Sequence, residues 1–223
     1  ILILLNLRGV KESVAVLSPI FLLFIVTHVV LLGYGIGSQA PIIGTRITQV
    51  STGLNVDLQT IGLLGILSIF LRAFSLGSGT YTGIEAVSNG LPVMREPKVK
   101  TGKRTMLYMA VSLSLVAGGL FICYYLLNVQ HVQGQTLNAA LATSLFGGWP
   151  GGILLAAVII FSEGLLLFVA AQTGFIDGPR VMANMAVDSW FPKKFSALSE
   201  RLTMRNGVWV MGLAALLLMI GTN

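Results

Sequence analysis

Charge is what this 223-residue sequence has least of: 10% of its residues are charged against 55% hydrophobic, and the mean hydropathy is +0.86. Soluble globular domains average about 25% charged residues. Fourteen Lys and Arg with eight Asp and Glu cannot cover the surface of a water-soluble fold of this length. Soluble enzymes, nucleic-acid binders and disordered chains are therefore excluded as readings of the whole chain. Cysteine is scarcer still: Cys123 alone rules out a disulfide framework and a multi-cysteine metal site. The sequence also lacks the H-E-x-x-H of a zinc protease and the dyad alternation of a membrane β-barrel. Its N-terminus has no basic segment and cleavage site of a signal peptide. What remains is an all-α integral membrane protein.

Long apolar runs are what it has in abundance. Residues 14–36, 61–94, 105–127 and 153–177 are each long enough to cross a bilayer, which takes ~20 residues. Backbone in hydrocarbon must satisfy its own hydrogen bonds, so each is expected to be a helix or a pair of half-helices. Residues 1–5 read as the last turn of an apolar helix, and 208–223 as a truncated span. The expectation is one transmembrane domain over 1–223, excerpted from a longer polytopic protein.

The cations fall in alternate loops. Arg8 and Lys11 precede the first run. Arg95, Lys98, Lys100, Lys103 and Arg104 lie between the second and third, and Arg180, Lys193, Lys194, Arg201 and Arg205 follow the fourth. That is twelve of the 14 Lys and Arg, whereas the loops 37–60 and 128–152 hold Arg46 alone. The positive-inside rule makes the cation-rich loops cytoplasmic. It also accounts for the pI near 9.8 without a nucleic-acid partner, although 95–104 could touch anionic headgroups as well. In the outer loop, 138–145 has the composition of a short interfacial helix.

The second run is too long for one straight span, and its middle reads Leu76-Gly77-Ser78-Gly79-Thr80-Tyr81-Thr82-Gly83. Glycine costs a helix interior about 1 kcal/mol relative to alanine, so a break is expected near 77–80. Unwound backbone at membrane depth is tolerated only against protein or a watery cavity. In transporters such breaks hold the substrate, with freed carbonyls on cations. Before the break, Gly65, Ser68, Arg72, Ser75 and Gly79 fall on one stripe; after it, Thr82, Glu85 and Asn89 share a face. Charge at the bilayer centre costs ~2.5–3.5 kcal/mol, so Arg72 and Glu85 are expected to face the bundle interior or water. A glycine kink for close packing and a structural Arg–Glu pair are the plainer alternatives. A dinucleotide loop is excluded, because no strand precedes the glycines.

Residues 79–89, Gly-Thr-Tyr-Thr-Gly-Ile-Glu-Ala-Val-Ser-Asn, resemble the sixth-helix motif of the amino acid–polyamine–organocation superfamily. Asn6-Leu7-Arg8-Gly9-Val10-Lys11-Glu12-Ser13 resembles that superfamily's loop before helix five. Residues 180–192 are similar to its signature after helix eight, with Val187 and Ser189 standing where that signature has Arg and Gly. The resemblance covers essentially the whole chain. It implies a partial inverted-repeat, broken-helix fold running from the end of helix four into helix nine. Within the superfamily, the stretch is most similar to the KimA-type potassium importers. That resemblance implies a multi-pass plasma-membrane protein that takes up K⁺ with H⁺ and has no cofactor. It would place Thr82 beside a dehydrated K⁺ and Glu85 nearby in proton coupling. The helix break adds Gly79, Thr80 and Tyr81 to the cation site, and charge or polarity in apolar runs adds Arg72, Asn89 and Glu163 as secondary residues. A homodimer through parts of the parent outside this chain is compatible with it. A proton-coupled amino-acid permease on the same fold is the alternative.

Other residues carry weaker signals. His28, inside the first run, reads as a packing histidine or a proton relay. Glu163 shares a stripe with Ala170, Thr173, Gly174 and Asp177, and either carries protons or is paired to a neighbouring helix. Asp177 and Arg180 flank Gly178-Pro179 and read as a helix-end hinge or gate pair. Gly118, Gly119 and Cys123 read as packing. A Ser78–His28 dyad is the one enzymatic arrangement available, and no oxyanion motif accompanies it.

Overall fold

The computed structural model describes residues 2–8, 10–77, 79, 87–88, 90–91, 94–199 and 203–222, with backbone only at 8 and 10–16. Among them there is no strand. The helices are α1 (Leu2–Arg8), α2 (Val10–Ser38), α3 (Ile43–Thr60), α4 (Gly62–Gly77), α5 (Lys98–Leu126), α6 (Leu137–Phe146), α7 (Gly152–Val187) and α8 (Arg205–Gly221). Among the described residues, three helical stretches are long and apolar enough to cross a membrane: Leu17–Ser38, Lys98–Leu126 and Gly152–Val187. A further candidate is a bent pair, Ala40–Thr60 with Gly62–Gly77, turning through 114°.

Three of the four expected runs are thus continuous helices, and the differences lie at their ends. Residues 6–13, expected as a loop, fall largely within α1 and the start of α2. Residues 43–60, also expected as a loop, form α3, a polar helix with none of its residues buried. Hydroxyls along it turn back on the preceding turn: Thr48 donates to the Gly44 carbonyl at 3.1 Å and Thr60 to Val56 at 3.0 Å. A sequence rich in Thr, Gln and Asn can therefore stay helical in a wet setting. The turn from α3 to α4 falls on Gly62 at φ +71°, a left-handed conformation that costs other residues ~1–2 kcal/mol. The fourth run does not stop at 177: α7 passes through Pro179 to Val187.

The chain divides into two units. The first comprises Ile1–Thr27, Gly83–Tyr108 and Phe161–Asn223. Glycines let its helices approach closely. A Cβ on Gly207 of α8 would lie 2.7 Å from the Cα of Pro179 in α7, and one on Gly178 would meet the side chain of Met211. Gly212 faces Ile3 of α1 and Phe175 of α7. Small residues at such crossings give the van der Waals contact that replaces the hydrophobic effect between helices in lipid. Beyond α7, Phe195 is buried and packs edge-on against Phe191 at 4.7 Å. Asn206 Nδ2 donates to the Lys194 carbonyl at 2.8 Å, tying that loop to the start of α8.

The second unit comprises His28–Thr82 and Met109–Ile160. Its core joins Leu31 of α2, Cys123 of α5, Leu141, Ala142, Leu145 and Phe146 of α6, and Ala156 and Ile159 of α7. α6 is capped at its start: the Thr136 hydroxyl accepts the Ala139 N–H at 3.2 Å, satisfying one of the four orphan donors of a helix start. Cys123 packs against Gly35, and Gly119 against Leu32, whereas Gly118 faces open space. Tyr34, Phe146 and Trp149 form an aromatic group, with Tyr34–Trp149 centroids 4.7 Å apart. Arg46 of α3 donates to the Leu126 carbonyl at 3.4 Å and lies over the Tyr125 ring.

Candidate functional site

The helical half that leads to the candidate site is α4. Its sixteen residues, Gly62–Gly77, are too few to cross a bilayer as one segment, which takes ~20. Ser68 turns its hydroxyl back to the Leu64 carbonyl at 2.8 Å. Arg72 is exposed, as is the whole of its stripe apart from half-buried Gly65. Gly79 is exposed too. Ser78, Thr80, Tyr81, Thr82, Glu85 and Asn89 lie outside the described residues, and with them the expected break near 77–80. The chain does turn sharply within this part of the sequence, but at Gly62, between α3 and α4.

The other candidates lie on α2 and α7. His28 is buried in the middle of α2. One turn of α7 carries buried Ser162 beside half-buried Glu163, of which one carboxylate oxygen is buried. Ser162 Oγ and Thr27 Oγ1 are 3.0 Å apart, and Thr27 donates to the Phe24 carbonyl at 2.9 Å. A hydroxyl pair of this kind joins α2 to α7 without a charge. Asp177 and Arg180 sit inside α7 rather than at its end, so the hinge expected at Gly178-Pro179 is a point of close packing against α8. The proline loses one intrahelical hydrogen bond without ending the helix.

Sequence reasoning missed the Thr27–Ser162 hydroxyl pair and a second buried contact. Asn6 of α1 and Gln172 of α7 exchange two hydrogen bonds, Asn6 Nδ2 to Gln172 Oε1 at 2.8 Å and Gln172 Nε2 to Asn6 Oδ1 at 2.7 Å. The available signal was Gln172 itself, a lone amide in an apolar run, which in lipid must find a partner. Among the described residues no group of three His, Cys, Asp or Glu is placed to hold a metal.

Comparison with known proteins bears on the chain as a whole. The model of a family described as amino acid permease matches residues 1–223. The potassium transporter KimA of Bacillus subtilis (strain 168) is 29% identical over 220 residues, which is 99% of this chain and 35% of that protein. The chain thus spans about a third of the length of this relative.

Proposed function

The chain belongs to the amino acid permease family of the amino acid–polyamine–organocation superfamily, and from that premise we propose that it forms part of a proton-coupled potassium importer of the plasma membrane. The observation that carries this reading is the 29% identity to a potassium transporter, sustained over 99% of the chain. The chemistry of residues 79–83 supports it. A K⁺ ion that sheds its water needs neutral oxygens in its place, and Thr80, Tyr81 and Thr82 supply three hydroxyls in succession. A chain leaving its helix after Gly77 would add carbonyls at the negative end of the α4 dipole. Glu85 is then the carboxylate that carries the coupled proton. Membership of a permease family points to transport rather than to the Ser78–His28 dyad.

One observation favours a second reading, a proton-coupled amino-acid permease: the matching family is described by amino-acid transport. The two separate in one experiment. The protein is expressed in cells without K⁺ uptake of their own, and growth at low K⁺ is followed beside uptake of radiolabelled amino acids. Rescue of growth is the expected result. Competent amino-acid uptake without rescue transfers the conclusion to the second reading.

A further inference from the structure

α5 begins where a helix is least suited to positive charge. Its first turn holds no acidic residue, while Lys98, Lys100, Lys103 and Arg104 lie within its first two turns. The peptide dipoles put about half a positive elementary charge at that same end, which favours anions and disfavours cations. Lys100, Lys103 and Arg104 stand at i, i+3 and i+4, on one helical face and in mutual repulsion. Glu96 offsets part of this charge: it accepts the Lys98 backbone N–H at 3.2 Å and pairs with the Lys98 ammonium at 3.6 Å. Lys100, Lys103 and Arg104 are exposed and, among the described residues, form no ion pair.

These three cations, with exposed Val99 and Leu107 and with Pro97, border a shallow and widely open depression of about 540 Å³ on the surface of the helix start. Charged groups and apolar groups therefore line one space, at the cation-rich end of a helix long enough to cross the membrane. Topology asks only for an excess of Lys and Arg in the loop. It does not ask that three of them, within two turns of the helix start, share a helical face beside exposed Val99 and Leu107.

We propose that this depression binds the phosphate headgroup of an anionic phospholipid of the cytoplasmic leaflet. Lys100, Lys103 and Arg104 hold the phosphate, and Val99 and Leu107 lie against the glycerol and first acyl carbons. The anion relieves the repulsion among the cations and the conflict of Lys100, in the first turn, with the helix dipole. Each cation beside an anionic surface strengthens binding about fivefold, so three together supply a factor on the order of a hundred. The site is independent of which substrate the protein carries.

The test is made on the purified protein in detergent micelles, with spin-labelled phosphatidylglycerol and phosphatidylcholine titrated separately. Wild type is expected to prefer phosphatidylglycerol by at least about tenfold, and Lys100→Gln/Lys103→Gln/Arg104→Gln to lose that preference. Val99→Ala/Leu107→Ala, which leaves the charges in place, is expected to weaken phosphatidylglycerol by a smaller factor. Inorganic phosphate at millimolar concentration is the competing probe. Equal affinity of wild type for the two lipids, undiminished selectivity in the triple variant, or displacement of the lipid by inorganic phosphate overturns the proposal.

Discussion

Asn6 and Gln172, 166 positions apart, hold each other by two hydrogen bonds of 2.8 and 2.7 Å, with 2% and 4% of their surfaces exposed. The second Asn6 N–H proton goes to the Leu2 carbonyl at 2.9 Å, so both donors of that amide are used. The pair fixes α1 against α7 in rotation as well as distance, because two amides meeting head to head tolerate little twist. Neither residue belongs to the candidate substrate site.

The first prediction follows from the cost of separating them. Gln172→Leu strands an acceptor and a donor of Asn6 at a buried position, a loss of about 1–3 kcal/mol. Asn6→Leu/Gln172→Leu removes both partners and is expected to cost less than the sum of the single changes. Interhelical hydrogen bonds in membrane proteins average ~0.6 kcal/mol and reach ~1.7, which bounds the coupling. Unfolding in mixed detergent micelles across the four members of the cycle measures it. Strict additivity would show that the two amides do not interact.

A second prediction separates two glycines that sit at one crossing. A Cβ on Gly207 would lie 2.7 Å from both the Cα and Cβ of Pro179, whose backbone cannot step aside. A Cβ on Gly178 would meet the sulfur and terminal methyl of Met211 at 2.9 and 2.7 Å, the flexible end of an adaptable side chain. We predict that Gly207→Ala lowers stability by about 1–3 kcal/mol through overpacking. Gly178→Ala should fall near neutral, since the helix gains ~1 kcal/mol of propensity as Met211 gives way. Thermal unfolding of the two variants in one detergent decides it, and equal losses would contradict the argument.

The parts of the fold that the sequence made legible are those set by burial in lipid. The runs that became α2, α5 and α7 were visible because every residue facing hydrocarbon must be apolar, a demand that local propensity cannot override. α6 was visible over 138–145 from its composition, whereas the capping hydroxyl of Thr136 that starts it was passed over. α3 was not, because Thr48, Gln49, Ser51, Asn55 and Asp57 look like a loop when the expectation is that membrane helices are greasy. The end of α7 was misplaced for a related reason: Gly178-Pro179 is a strong local stop, and only the packing of α8 against it shows why the helix continues. Glu163 and Arg72 were found as candidates from charge in apolar runs. Gln172 was passed over because an uncharged amide stands out less, although it too must be satisfied.

The third prediction concerns the turn at Gly62. With φ at +71° and 114° between α3 and α4, any side chain there is strained, by roughly 1–2 kcal/mol. Asn tolerates the left-handed region better than branched residues do. We predict that Gly62→Val broadens or shifts the distance between spin labels at positions 50 and 70, and that Gly62→Asn changes it much less. Val50 and Phe70 are both exposed, so labels there are accommodated, in a background where Cys123 is replaced by Ala. Unchanged distributions in Gly62→Val would mean that the bend does not depend on this backbone conformation.

The last prediction assigns separate tasks to two residues of the proposed site. Thr82→Val keeps the shape of the side chain and removes one neutral oxygen, so a cation that relied on that oxygen binds more weakly. The KM for K⁺ should rise on the order of tenfold, which corresponds to ~1.4 kcal/mol, while the response of uptake to an imposed proton gradient is retained. Glu85→Gln also preserves shape but cannot take up a proton. K⁺ uptake should then become insensitive to that gradient, while the KM for K⁺ changes by no more than about threefold. Uptake of ⁸⁶Rb⁺ into proteoliposomes, measured against external concentration and against internal pH, reads both quantities on the same samples. The reverse pattern, with coupling lost in Thr82→Val and affinity lost in Glu85→Gln, would exchange the roles. If Glu85→Gln kept its full response to the gradient, the coupled proton would have to travel on another carboxylate, and Glu163, half-buried in α7, is the next to replace.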